Sequence, residues 1–337
     1  MTATHQTIPC FPGVFVTNKL SFALTLACVW TAAYAQPTPA YPSKPIRLVV
    51  PYPPGGTPDI QGRLFAEKLR VRIGQPLIID NRPGANASLG MGLVARAPAD
   101  GYTLIIATVG PWTVNPHLYE LQYDVLNDLT PIIQATASAG ILAVHPSIPA
   151  RSVKELIALA RHKPGALDYG SAGVGGFGHM CGELFAMLTG TKMTHVPYKG
   201  VAAAMTDTVA GRVPVSFNVA AVTLPHVHTG RLRALAVTAA TRMETLPDLP
   251  TIAEAGVPGY ENTTWVGLGA PARTPQPIIE RLNREMNAVL QLPDIKEQLQ
   301  AQGASVTGGT PEQFRDYIKA ELTKYGKLIK AANIRNE

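Results

Sequence analysis

Only three of the 337 residues are cysteine, 15% are charged and 7% are aromatic. Cys10 and Cys28 lie in the N-terminal stretch, which leaves Cys181 as the one thiol of the remaining chain. A single thiol makes no intramolecular disulfide and no cysteine metal site. So few aromatics argue against a base-stacking nucleic-acid platform, and no Lys/Arg block exists despite a net charge of +6. Thirty Gly and thirty Pro are scattered without a collagen period. There is no H-E-x-x-H, no C-x-x-C and no Walker loop, so no metal and no cofactor is expected.

What is present is a 46% hydrophobic composition, enough for a sizeable core. The length suits two domains. Residues 20–33, LSFALTLACVWTAA, form an uncharged apolar run after Lys19, and Ala33-Tyr34-Ala35 supplies a small-x-small cleavage site. The run is too short and wrongly flanked for a membrane span. Residues 1–35 are therefore read as an export signal cut near Ala35, which places the protein in the periplasm.

Strands alternate with helices along the rest of the chain. IRLVV at 46–50 reads as a buried parallel strand. The turn Pro51–Gly56 then leads into a helix to about Arg72, with Thr57 as its cap, Pro58 in first position and Asp59 at the positive end. Strands are expected at 77–80, 102–108, 141–144, 167–171, 194–197, 213–217 and 233–238. Ser152 caps a helix, and Thr274-Pro275 and Thr310-Pro311-Glu312 open two C-terminal helices. The pattern predicts an α/β fold with mostly parallel sheet. Domain 1 is discontinuous, 36–138 with 262–337, and domain 2 covers 139–261.

Two strand–glycine–helix junctions stand out: Pro54-Gly55-Gly56-Thr57, and Ser171 through His179. Each presents unpaired backbone N–H groups at a positive helix end. Facing one cleft, they would suit a small carboxylate. The second junction spells G-x-G-x-x-G at Gly173, Gly175 and Gly178, but Tyr198-Lys199 stands where a dinucleotide site wants an acid. A hydrolase needs a nucleophile with a base in reach. Asn86-Ala87-Ser88-Leu89-Gly90 lacks the first glycine of G-x-S-x-G, and Ser88 reads as a cap. His145, His162 and His195 read as surface or hydrogen-bonded polar residues. His179, which opens a helix at the glycine loop, is divided between ligand contact and holding that loop.

Several segments carry a family resemblance. Ile46 through Asp59 (IRLVVPYPPGGTPD), Asn81-Arg82-Pro83-Gly84, Asp100-Gly101-Tyr102-Thr103-Leu104, Tyr169-Gly170-Ser171, His195 through Gly200 (HVPYKG), Leu232 through Thr238 (LRALAVT) and Leu249 through Gly256 (LPTIAEAG) resemble, in order, the Bug-type periplasmic solute-binding proteins, receptors of tripartite tricarboxylate transporters. The likeness runs from about residue 41 to 330. It implies a two-domain type II periplasmic-binding fold, a "Venus flytrap" with two crossing strands. It also implies ligand carboxylates held by backbone amides of the first loop: Pro54, Gly55, Gly56, Thr57 and Asp59. Thr108 matches a family Thr/Ser. Ser171, Gly175, Gly176 and His179 come from domain 2, as does Asp207, read as ordering its own loop.

Similar proteins often have Asn-Gly-Thr where Val174-Gly175-Gly176 stand, and Asp where Asn218 stands. With Phe177 adjacent, the pocket is expected to prefer a dicarboxylate or aromatic carboxylate over an amino acid. The implied partners are an organic acid and the permease subunits of a tripartite tricarboxylate transporter, with no nucleic acid; a monomer is expected. A periplasmic sensor feeding a histidine kinase, or an exported hydrolase, remain the alternatives.

Overall fold

The computed structural model describes residues 41–335, together with residues 2, 7, 9, 12 and 13. The expected export signal lies outside the described residues, apart from those few positions. Contacts divide the chain into Met1–Tyr41 and Pro42–Glu337, and the second unit carries the fold.

Its first half runs β1 (Ile46–Val50), α1 (Thr57–Ile73), β2 (Leu77–Asn81), α2 (Ser88–Ala95) and β3 (Thr103–Thr108). Next come a π turn at Gly110–Val114, a short α3 (Asn115–Leu118) and the long β4 (Leu129–Val144). The second half holds α4 (Val153–His162), β5 (Asp168–Ser171), α5 (Phe177–Thr189), β6 (Thr194–Pro197), α6 (Val201–Val209), β7 (Val215–Val219), α7 (Ala220–His228) and β8 (Arg233–Val237). The chain closes with β9 (Thr263–Pro271), α8 (Gln276–Leu290), α9 (Pro293–Ala301), β10 (Ser305–Gly308) and α10 (Pro311–Ala331).

The strand order is β2-β1-β3-β9-β4-β7-β5-β6, with β10 and β8 also paired to β4. Parallel pairing is confined to the two ends, where β1 is flanked by β2 and β3, and β5 by β6 and β7. Every pair involving β4 or β9 is antiparallel, so the sheet is less uniformly parallel than the sequence pattern suggested. The strand expected at 141–144 is the last part of β4, which begins at Leu129. From Leu129 to Ala139 it pairs with β9; from Gly140 to Val144 it pairs with β7.

Local signals hold at several helix starts. Ser152 accepts the Glu155 N–H at 3.2 Å, and Thr310 and Gln313 form a reciprocal capping box. Long apolar side chains on α10 bury against β4, the π turn and α5. Phe314 there meets Trp112 and Trp265 edge-on, with ring centroids 5.9 and 5.2 Å away. The C-terminal helix thus packs on elements of both halves. No helix among the described residues is long and apolar enough to cross a membrane.

Candidate functional site

The first junction follows β1, whose side chains are buried from Leu48 to Val50. The helix cap is Gly56, in extended conformation and without a side-chain bond, and Thr57 is already helical. This corrects the reading of Thr57 as cap. Asp59 acts instead from within the first turn. Its buried carboxylate accepts the Gly55 N–H at 2.9 Å, Arg63 Nε at 3.1 Å, Arg63 Nη2 at 3.0 Å and Asn81 Nδ2 at 2.9 Å. The Arg63 hydrogen bond is the main cause that lowers its pKa to about 2, against the opposing effect of burial.

This geometry sorts the loop residues. Pro54 has no N–H, and that of Gly55 is committed to Asp59. The Asp59 charge is turned inward and matched by Arg63. The N–H groups of Gly56, the cap, and Thr57, the first helical residue, have no helix carbonyl one turn earlier to bond.

Thr108 ends β3 beside this loop. Its Oγ1 lies 2.6 Å from the Tyr52 hydroxyl, and its N–H donates to the same oxygen at 3.3 Å. Thr108 and Thr136 both register with Val266, so the three share one face of the sheet. From Thr136 a hydroxyl donates to Gln61 Oε1 of α1 at 2.9 Å. Helix α1 is thereby tied to the middle of β4.

The second junction follows β5. Ser171 is wholly buried. Its hydroxyl lies 2.6 Å from His195 Nε2, accepts the Gly173 N–H at 3.1 Å and donates to the Gly173 carbonyl at 3.0 Å. His179 Nδ1 accepts the Gly175 N–H at 3.0 Å. The Gly176 N–H donates to the Gly173 carbonyl at 3.2 Å. The amides of Gly175 and Gly176 are thus engaged within the loop. Those left at the helix end belong to Phe177 and Gly178, the first two residues of α5. Burial lowers the pKa of His179 to about 3 and that of His195 to about 4, so both rings are neutral at pH 7.

The second junction meets the segment that follows Thr108. The π turn and α3 follow it directly, and a Cβ on Gly175 would meet Leu118 Cδ1 at 2.7 Å and Val114 Cγ1 at 3.4 Å. Phe177 lies over Gly140, where β4 changes partners; its Cε1 would be 2.8 Å from a Cβ there. Asn218 is buried on β7, and its Nδ2 donates to Ser216 Oγ at 2.9 Å. Asp207 is spent locally. The Tyr198 hydroxyl donates to it at 2.7 Å, and Arg212 Nη2 does so at 2.6 Å.

Sequence reasoning missed Tyr52, Asn81 and Gln61, and gave His195 no more than a polar role. Tyr52, Asn81 and His195 all stood in motifs quoted for the resemblance, but nothing in the spacing showed what they hold. Ser88 is the first residue of α2 rather than its cap, and its Oγ accepts Asn115 Nδ2 at 3.1 Å. Among the described residues, no cluster of three His, Cys, Asp or Glu side chains is arranged to hold a metal ion.

The model of the tripartite tricarboxylate transporter family receptor matches residues 62–334. The chain is 34% identical over 304 residues to Protein BugT of Bordetella pertussis, covering 89% of this chain and 93% of that one. Among solved structures it is similar to R. palustris Rpa4515 with adipate, at 40% identity and TM-score 0.77, covering 88% of this chain and 99% of the other. MatC of Rhodopseudomonas palustris with bound malate shares 28% identity at TM-score 0.73, covering 86% and 100%.

Proposed function

Since the chain belongs to the tripartite tricarboxylate transporter receptor family, we propose that it captures a small carboxylate between its two lobes and delivers it to the permease subunits of such a transporter. It has the two-domain α/β fold of periplasmic-binding proteins, and its family is one of substrate-binding receptors rather than enzymes. The proposed lobes are 36–138 with 262–337, and 139–261. The proposed location is the periplasm, reached through a signal cut near Ala35.

The observation that carries this reading is the pair of helix ends. Gly56 and Thr57 on one side, and Phe177 and Gly178 on the other, offer N–H groups rather than cations. Arg63 is occupied by Asp59, and His179 is neutral. Such a site suits an anion whose charge is shared among main-chain dipoles. Contacts to both lobes stabilise the closed form over the open one. The remaining candidate residues act around those amides: Thr108 with Tyr52 at the first loop, and Ser171, His179 and Asn218 at the second.

The proposed ligand is a dicarboxylate or aromatic carboxylate rather than an amino acid. Two relatives hold adipate and malate, neither of which carries an amine. Asp207 does not stand free to receive one, since it is taken up by Tyr198 and Arg212. A calorimetric titration with adipate, malate, benzoate, aspartate and glutamate tests this. The expected result is binding of one or more of the first three. At a hundredfold excess over Kd, that ligand adds about 2.7 kcal/mol of stability. Tight binding of aspartate or glutamate with no response to the others would refute it.

A further inference from the structure

Two imidazoles lie face to face beneath the second glycine loop. The rings of His179 and His195 are 3.8 Å apart between centroids and 11° from parallel. They come from different elements, His179 from the first turn of α5 and His195 from β6, where it registers with Tyr169. His179 secures Gly175 directly, and His195 secures Gly173 through the Ser171 hydroxyl. Each ring therefore holds one of the loop's two positive-φ glycines, at φ 132° for Gly173 and 74° for Gly175.

The hydrogen-bond pattern assigns the protons. Nδ1 of His179 accepts an N–H, so its proton is on Nε2. The Ser171 hydroxyl donates to the Gly173 carbonyl, so the short contact to His195 Nε2 is filled by a proton on that nitrogen. Both rings are neutral, chiefly because burial disfavours the charged form. The groups around them fit this state. Tyr169 of β5 lies against both rings, at 6.5 and 5.1 Å between centroids. Its hydroxyl donates to Glu183 Oε1 at 2.6 Å, and that oxygen is 3.8 Å from His179 Nε2.

We propose that His195 is a positioning residue for ligand capture: through Ser171 and by stacking on His179 it sets the loop that seats Gly175 against Leu118 and leaves the first N–H groups of α5 unbonded. The inference rests on the carboxylate-receptor reading for what the loop serves, but the loop geometry can be measured without ligand.

The test compares the full chain with His195→Phe, which keeps a flat ring in the stack but loses the Ser171 bond, and with His195→Ala, which loses both. Long-range 1H–15N spectra report the His179 tautomer, and hydrogen exchange reports the Gly173 and Gly175 amides. In His195→Phe, Gly173 should exchange roughly tenfold faster while Gly175 keeps its protection, the change expected for one net hydrogen bond. In His195→Ala, both amides should exchange roughly tenfold faster, and His179 should show mixed tautomers. Adipate is titrated alongside, and both variants should bind it more weakly than the wild type. Should His195→Ala not fold, His195→Phe decides alone. Unchanged Gly173 exchange in a folded His195→Phe overturns the proposal. Failure of the wild type to bind adipate, with the loop measurements as expected, counts against adipate as ligand and leaves the loop assignment standing.

Discussion

Leu118 closes on Gly175: its Cδ1 stands 2.7 Å from where a Cβ on that glycine would lie. The second glycine loop therefore rests on the turn that follows β3, with no room for a methyl group between them. Gly175 also sits at φ 74°, which an L residue adopts at a cost of about 1 kcal/mol. Gly175→Ala should displace the Leu118 side chain and strain the loop. The expected outcome is a lowered melting temperature, with adipate affinity lowered roughly tenfold, the equivalent of about 1.4 kcal/mol.

The Asp59 carboxylate organises the first loop from inside. Asp59→Asn loses the charge that holds Arg63 and weakens the bond from Gly55. Thermal unfolding should show a loss of about 2 kcal/mol, typical of buried charge-assisted hydrogen bonds. The pH dependence has a definite sign. The folded-state pKa is lowered to about 2, so the contribution is full above the ordinary carboxylate range and is lost as pH falls toward that value. Wild type should lose stability over that acid window more steeply than Asp59→Asn does.

The histidine pair acts in a different window. Both pKa values are lowered, to about 3 for His179 and about 4 for His195, chiefly by burial. The unfolded chain takes up protons near pH 6.5 while the folded chain does not. Stability should therefore fall as pH drops from about 6.5 toward about 4. The half-buried Glu183 carboxyl, raised in pKa by desolvation, also faces the stack, as does the Tyr169 phenol. Melting temperatures followed across that range should fall less steeply in His195→Phe, which removes one of the two rings.

Cys181 is expected to be inert in the folded protein. It is wholly buried, its Sγ accepts Asn262 Nδ2 at 3.2 Å, and burial pushes its pKa up to about 12. Peptide mapping after iodoacetamide treatment should find the Cys181 peptide unmodified under native conditions and labelled after denaturation. Labelling of the native chain at the rate of a free thiol would contradict this packing.

Much of the fold is legible in the sequence because its signals are local. The β-branched run of β1, the Ser152 cap and the Thr310 box need no partner to be recognised. The crossing strands are another matter. The first part of β4, LTPIIQATAS, mixes proline with small and polar residues. The β9 segment TTWVGLGAP is interrupted by glycines. Their strand identity comes from the sheet on either side, and from side chains far away in sequence; a Cβ on Gly267 would stand 2.2 Å from Phe314 Cζ. The site divides in the same way. The two glycine junctions can be read directly. Which of their amides are already engaged cannot, because that depends on Asp59 folding back and on His195 arriving from another strand.

One uninterrupted strand, Leu129–Val144, supplies edges to both halves of the sheet. The two lobes are therefore not separable modules. Excising the segment between β4 and β9 would strip β7 and β8 of their pairing with β4, while the excised piece would carry no replacement for that strand. Gene fusions and lobe swaps among relatives should succeed only when the exchanged fragment brings its own copy of that shared strand.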